Sequence, residues 1–366
     1  MKNYQCHLKM SSLRHLRGMG MFHKALWMWN WKRGKYAVLI MFLVSMYVFP
    51  YKYYKASQTQ MDFFYKYNPT GEFYYDYYFS DYNSIIILSI IALACLMIGW
   101  ERSNLKLSDS LMVMPFKRST IFFSKWLFGI IHIVTCLLLC WALMYLVYRT
   151  TIHFEFQSFN FFHRYFFYAI ITYIALYTTA LCIGTFTGSI ISQGTFCALY
   201  LIKGFGILSL LFSFYNAHLN MDTEDSSNKY EAIFHLNQQT EILAPIKKFH
   251  IRYNYDTRNQ PTKKEGPVFY DYSSPKILLV PILYTICSLL LGVILYKHSP
   301  NENNKKVFSF QKKQKLWIVG TTFYFALIGG SMLHYSDLIF SYYFGLILFG
   351  TLSYFALSRL TNYKVL

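Results

Sequence analysis

Apolar residues in this chain come in long unbroken blocks rather than in the alternating rhythm of a soluble helix or strand. Blocks at 34–54, 84–100, 126–148, 165–190, 194–215, 277–296, 316–333 and 338–357 each approach the roughly 20 residues a helix needs to cross a bilayer. The pattern predicts an all-α polytopic membrane protein with about eight transmembrane helices.

The polar stretches between the blocks are unequal. Before the first block, Phe22, Ala25, Leu26 and Trp29 fall on one helical face, Trp27 and Trp31 widen it, and Lys32, Arg33 and Lys35 follow. Such a run suits an N-terminal interfacial helix that turns into the membrane near Gly34. The clean apolar core of the first span runs over 36–49 and stops at Pro50, with Tyr51, Tyr53 and Tyr54 extending it into the interface. The loop up to Asn83 is dense in Tyr and Phe, which reads as an interfacial belt or, alternatively, as the wall of a vestibule. The longest loop, 216–276, is too short for a robust core of its own and is expected to form a small cap on the membrane domain. The chain thus divides into a cytoplasmic N-terminal and interfacial segment (1–33), spans 1–5 (34–215), the outer loop or cap (216–276), span 6 (277–296), a basic cytoplasmic linker (297–315), and spans 7 and 8 with a tail (316–366).

Composition agrees: of 366 residues only 14% are charged while 55% are hydrophobic, where a soluble domain carries about a quarter charged. The net charge of +18 would suggest nucleic acid in a soluble protein. Its distribution argues otherwise. With both termini inside, the cytoplasmic segments hold 21 Lys and Arg against three acids (Glu101, Asp109 and Glu302), whereas the outer segments hold 13 against 14. The excess lies on one side, as the positive-inside rule requires, and reports orientation and contact with anionic lipid. Residues 1–20 are polar and basic, so no cleavable signal is expected. Richness in Lys, Asn, Tyr and Phe fits an AT-rich bacterial genome, and hence a bacterial plasma (cell) membrane.

The sequence carries no Walker A pattern, no His-Glu-x-x-His spacing and no Gly-x-Ser-x-Gly elbow. P-loop ATP hydrolysis by this chain is therefore not expected, and neither an enzymatic site nor a bound metal is assigned. All cysteines but Cys6 fall within spans, so no disulfide framework is implied. Cys136 and Cys140 share a helix face and read as small packing residues.

The most informative polar segment is 101–125, ERSNLKLSDSLMVMPFKRSTIFFSK, flanked by Trp100 and Trp126 at interfacial positions. It holds a carboxylate at the end of one span, a short amphipathic run, a proline, a basic pair and a lysine opening the next span. This order resembles the ABC-2-type transporter permease family. There an acidic residue precedes a helix, a leucine-rich stretch ends in proline with a basic residue three positions on, and a lysine begins the third span. Glu101, Leu105, Leu107, Leu111, Met112, Pro115, Lys117, Arg118, Ile121 and Lys125 match that order, while Phe116 is bulkier than usual. The interfacial helix, six core spans and large outer loop between spans 5 and 6 match over about 21–296; spans 7 and 8 depart from it.

The resemblance implies a permease that pairs with itself or a sibling and docks a separate ATPase, which binds ATP and Mg while this chain binds no cofactor. Residues 101–118 would be the coupling element. Glu101 would cap or orient its helix, Leu111 and Met112 would insert toward the ATPase, and Lys117 and Arg118 would pair with the partner's acids or with lipid phosphates, with Pro115 part of the same element. Simple positive-inside anchoring is the competing role for Lys117 and Arg118. Lys203, nine residues into span 5, would face a substrate cavity or else snorkel or pair with a carbonyl. The expected activity is export of an amphipathic or lipidic substrate or peptide. The alternative is a membrane-embedded lipid- or polysaccharide-processing enzyme or assembly factor built on His153, Glu155, His163 and Arg164. A secondary transporter is disfavoured because the span interiors lack acids.

Overall fold

A computed structural model of the chain describes residues 23–67, 72–79, 83–151, 153–156, 158–201, 210–211, 213–215, 218, 241–247, 249–256, 268–271, 274–300, 306–309, 311–333 and 339–362. Among the described residues, seven helical stretches are long and apolar enough to cross a membrane: Lys24–Asp62, Asn83–Ser103, Arg118–Thr150, Asn160–Phe186, Pro275–His298, Gln314–Leu333 and Ile339–Arg359. The chain is a multi-pass helical membrane protein. Of the expected fifth span, the structure describes the shorter helix Ile190–Leu201; residues 202–209, with Lys203, lie outside the described residues.

The first span departs from expectation at its start. Helix α1, Lys24–Met46, runs through Gly34 without a turn, so the interfacial helix and the span are one rod. Gly34 serves close packing instead, because a Cβ there would come within 2.6 Å of Met97 Cε and 2.8 Å of Phe128 Cε1. At the other end the span continues past Pro50, as the tyrosines after it suggested. The proline sits in a π-helical turn, Tyr47–Tyr51, and the widened turn absorbs the missing N–H and the ring that an α-turn rejects. The rod continues as α2, Lys52–Tyr67. The 39 residues from Lys24 to Asp62 measure about 58 Å at helical rise, so the rod's polar ends reach past a hydrocarbon core of about 30 Å.

The helical architecture agrees with expectation, and a small sheet outside the spans adds to it. Strand β1, Glu72–Tyr78, comes from the first outer loop, and β2, His250–Asp256, and β3, Val268–Asp271, from the long one. They form an antiparallel sheet in the order β1-β2-β3, with Glu72 opposite Asp256, Tyr78 opposite His250, and His250 opposite Asp271. Of the aromatic side chains of the first loop, those of Tyr77 and Phe79 are described. Tyr77 and Phe79 are buried. Tyr77 packs edge-on against Tyr53, and Phe79 against Phe162 and Tyr165. Phe249, just before β2, joins them through Phe161, Tyr165 and Tyr168. Offset and edge-on ring contacts of this kind each add about 0.5–1.5 kcal/mol beyond burial.

The remaining elements are α3 (Asn83–Ala94), a π-turn (Cys95–Gly99), α4 (Trp100–Ser103), α5 (Leu105–Met112), α6 (Arg118–Thr150), α7 (His153–Phe156), α8 (Asn160–Phe186), α9 (Ile190–Leu201), α10 (Ala244–Lys247), α11 (Leu279–His298), α12 (Gln311–Leu333) and α13 (Ile339–Asn362). They fall into two compact units. The first comprises the described parts of Met1–Met97, Pro115–Thr179 and Ile242–Val293; the second, those of Ile98–Met114, Ala180–Glu241 and Ile294–Leu366.

In the first unit, buried polar groups are tied across helices. Asn83 Oδ1 accepts hydrogen bonds from the Tyr165 and Tyr173 hydroxyls, both at 3.1 Å. Asn30 Nδ2 donates to Ser124 Oγ at 3.3 Å. Trp126 Nε1 donates to Thr178 Oγ1 at 3.0 Å. In the second unit, α12 and α13 form a hairpin in which Gly329 and Gly345 bring backbone against backbone. A Cβ at Gly329 would lie 2.6 Å from the Gly345 carbonyl oxygen. Small residues at such crossings let membrane helices reach full van der Waals contact.

Candidate functional site

The polar segment after the second span is ordered by its own backbone. Helix α4 stops at Asn104, whose extended conformation (φ −112°, ψ 101°) turns the chain away from the span. The Asn104 carbonyl then accepts from the Leu107 and Ser108 amides, both at 3.1 Å, and starts α5. Ser108 and Leu111 lie three apart on one face and are both buried, while Leu105 and Ser110 face out. A turn from Met114 N to Leu111 O closes the helix ahead of Pro115, and Lys117, in extended conformation, precedes α6.

The expected coupling residues are divided between the two units. Glu101, Leu111 and Met112 belong to the second, and Pro115, Lys117 and Arg118 to the first. Glu101 is buried, and its Oε1 accepts a hydrogen bond from the Tyr296 hydroxyl of α11 at 3.2 Å. Its anchor therefore includes another span, where the sequence suggested a cap on α5. Leu111 is only 1% exposed, whereas Val113, two residues on, is 86% exposed. The side chains of Asp109 and Met112 lie outside the described residues. Pro115 and Lys117 are exposed and Arg118 is half-buried. Phe116 meets the His23 ring edge-on at 4.7 Å between centroids. Lys125 is buried on α6, and its carbonyl accepts from the Tyr177 hydroxyl at 2.9 Å.

Arg102 is the residue that the sequence reading passed over. It is buried, and its guanidinium gathers three polar segments of the second unit. One terminal nitrogen donates to the Thr187 carbonyl and to Ser309 Oγ, both at 2.5 Å, and the other donates to Ser299 Oγ at 2.9 Å. The Tyr296 ring lies 6.0 Å from its central carbon. Around this grip the backbone pairs as well: Ser309 N donates to Phe186 O at 2.9 Å, Gly188 N to Val307 O at 3.3 Å, and Thr187 bridges Phe308. Neighbouring Ser103 accepts from the Ile190 amide at 2.8 Å, at the start of α9. Three inter-span segments, after α3, after α8 and after α11, thus converge on one side chain. An Arg beside the Glu that ends a span, together with serines in the later linker, was the available signal, but sequence spacing does not reveal which distant serine an arginine meets.

Of the residues of the alternative site, His153, His163 and Arg164 have described side chains. His153 is fully buried in the first unit with its ring stacked on Tyr53 at 5.3 Å, and burial lowers its pKa to about 4. His163 Nδ1 accepts from Trp141 Nε1 at 3.1 Å, and Arg164 is exposed. The Glu155 side chain lies outside the described residues. Among the described residues, no three His, Cys, Asp or Glu side chains gather as metal ligands. Gly184 packs closely on Gln193, whose Nε2 would lie 2.6 Å from a Cβ there. The chain matches no protein-family model, no curated protein and no solved structure.

Proposed function

We propose that the chain is the membrane-spanning permease subunit of an ATP-driven transporter of the ABC-2 type, working with a separate ATPase and a second permease. The observation that carries this reading is the construction of 101–114. A short amphipathic helix follows a span directly, is held by a buried Glu–Arg pair and ends in an exposed apolar tip. A soluble motor needs a rigid handle of this kind on a membrane protein, because a loose loop would dissipate its stroke. The orientation with both termini cytoplasmic rests on the one-sided basic charge, and puts α5 on the side where ATP is available. In this scheme Val113 and Met114 offer the apolar contact, Lys117 and Arg118 supply charge beside it, and Glu101 and Arg102 transmit displacement to the spans. Export of an amphipathic or lipidic substrate or peptide fits the weakly charged, aromatic spans.

The test is purification from the native membrane in mild detergent, with identification of every co-purifying chain. Glu101→Ala/Arg118→Ala is carried in parallel. A Walker-containing ATPase that accompanies the wild type and is lost or uncoupled in the double variant supports the reading. Repeated recovery of the chain with no ATPase refutes it.

A further inference from the structure

The permease reading concerns α5 and leaves the last two helices without a part. We infer that Arg102 is a positioning residue that ties the entry of α5 to the root of α12, making the α12–α13 hairpin a moving member of the coupling apparatus rather than an inert anchor. The inference rests on the permease reading of α5.

The geometry is specific. Ser309 precedes Gln311, the first residue of α12, by two positions, and it is fully buried. Its hydroxyl accepts from Arg102 and donates to the Thr187 carbonyl at 3.1 Å, while its amide donates to Phe186 O. Phe308 beside it is buried against Phe196 of α9 at 5.1 Å. The root of α12 is therefore fixed by side chain and backbone together. Ser299, one residue beyond α11, is held by the other arm of the same guanidinium. The linker is thus gripped near both ends by a residue two positions ahead of the break that begins α5. Only a planar fork reaches these partners from one stem; an ammonium places all its donors on a single atom.

Two readouts test this. The first is thermal stability of Arg102→Ala, Ser309→Ala and the double variant in detergent. Coupled residues give non-additive losses, so adding Ser309→Ala to Arg102→Ala is expected to lower Tm by no more than about 1 °C. Fully additive losses overturn the tie. The second reads motion. Lys315→Cys, near the start of α12 and exposed, carries an environment-sensitive fluorophore in a background with Cys6 and Cys287 replaced by Ser, and ATP is added to the co-purified complex. The wild type is expected to respond. Arg102→Lys is expected to lose most of the response while still binding the ATPase, and an undiminished response in that variant overturns the inference. If no ATPase co-purifies and the wild type is silent, the permease reading fails and the coupling role fails with it. The stability cycle then reports on the tie alone.

Discussion

Gly129 on α6 lies so close to Tyr177 on α8 that an added Cβ would overlap the phenol ring and its hydroxyl. Tyr177 is fully buried, and its hydroxyl donates to the Lys125 carbonyl. Gly129→Ala therefore forces the ring aside. Overpacking a tight core costs about 1–3 kcal/mol, and losing the buried hydroxyl's bond adds about 0.5–1.5 kcal/mol. The sum is about 1.5–4.5 kcal/mol. For a cooperative body of about 150–250 residues, that corresponds to a Tm lowered by roughly 3–18 °C, readable by fluorescence-detected thermal unfolding in detergent. Tyr177→Leu removes the atoms that would collide. In that background Gly129→Ala is expected to be neutral or to stabilise by up to about 1 kcal/mol, since alanine outranks glycine inside a helix. The reasoning thus predicts a change of sign. Equal losses in the two backgrounds would refute the claim that Tyr177 is what demands glycine at 129.

The tie between α4 and α11 predicts that Glu101→Ala and Tyr296→Phe lose stability non-additively, with a coupling of about 1–3 kcal/mol for a bond to a buried carboxylate; strict additivity in thermal unfolding would show that the bond does not form. His153 gives a pH dependence. Its folded pKa of about 4 lies below the ordinary value of 6.5, so the unfolded chain binds more protons between these values and stability falls as pH falls below about 6.5. The loss at pH 5 is about 2 kcal/mol, and the Tm difference between pH 7.5 and pH 5 should shrink in His153→Phe. In the α12–α13 hairpin, Gly345→Val drives a branched side chain into the Gly329 backbone. A loss of about 2 kcal/mol or more is expected, seen as earlier proteolysis or aggregation on heating, and unchanged behaviour would deny the close crossing.

What the sequence determined by itself is what depends on local composition. Blocks of apolar residues at 84–100, 126–148 and 277–296 become spans because no other environment accepts so much apolar surface, and their limits agree with α3–α4, α6 and α11 to within several residues. The amphipathic break after Glu101 was legible too, since Asn104 and Pro115 are local signals. Other features depend on partners distant in sequence. Gly34 looked like a turn, yet it is a contact, because only the packed structure brings Met97 and Phe128 against it. That the span passes Pro50 was expected, but the widened turn that carries the helix through was not. Part of the aromatic loop became a strand, with Tyr77 and Phe79 buried, because β1 found β2 from a loop far along the chain, a pairing that no periodicity encodes. Arg102 is the sharpest case. Its charge could be counted in the sequence, but its meaning comes from Thr187, Ser299 and Ser309, which the tertiary fold alone gathers. A buried guanidinium requires several acceptors at once, and a chain can supply them only by bringing separate loops to one point.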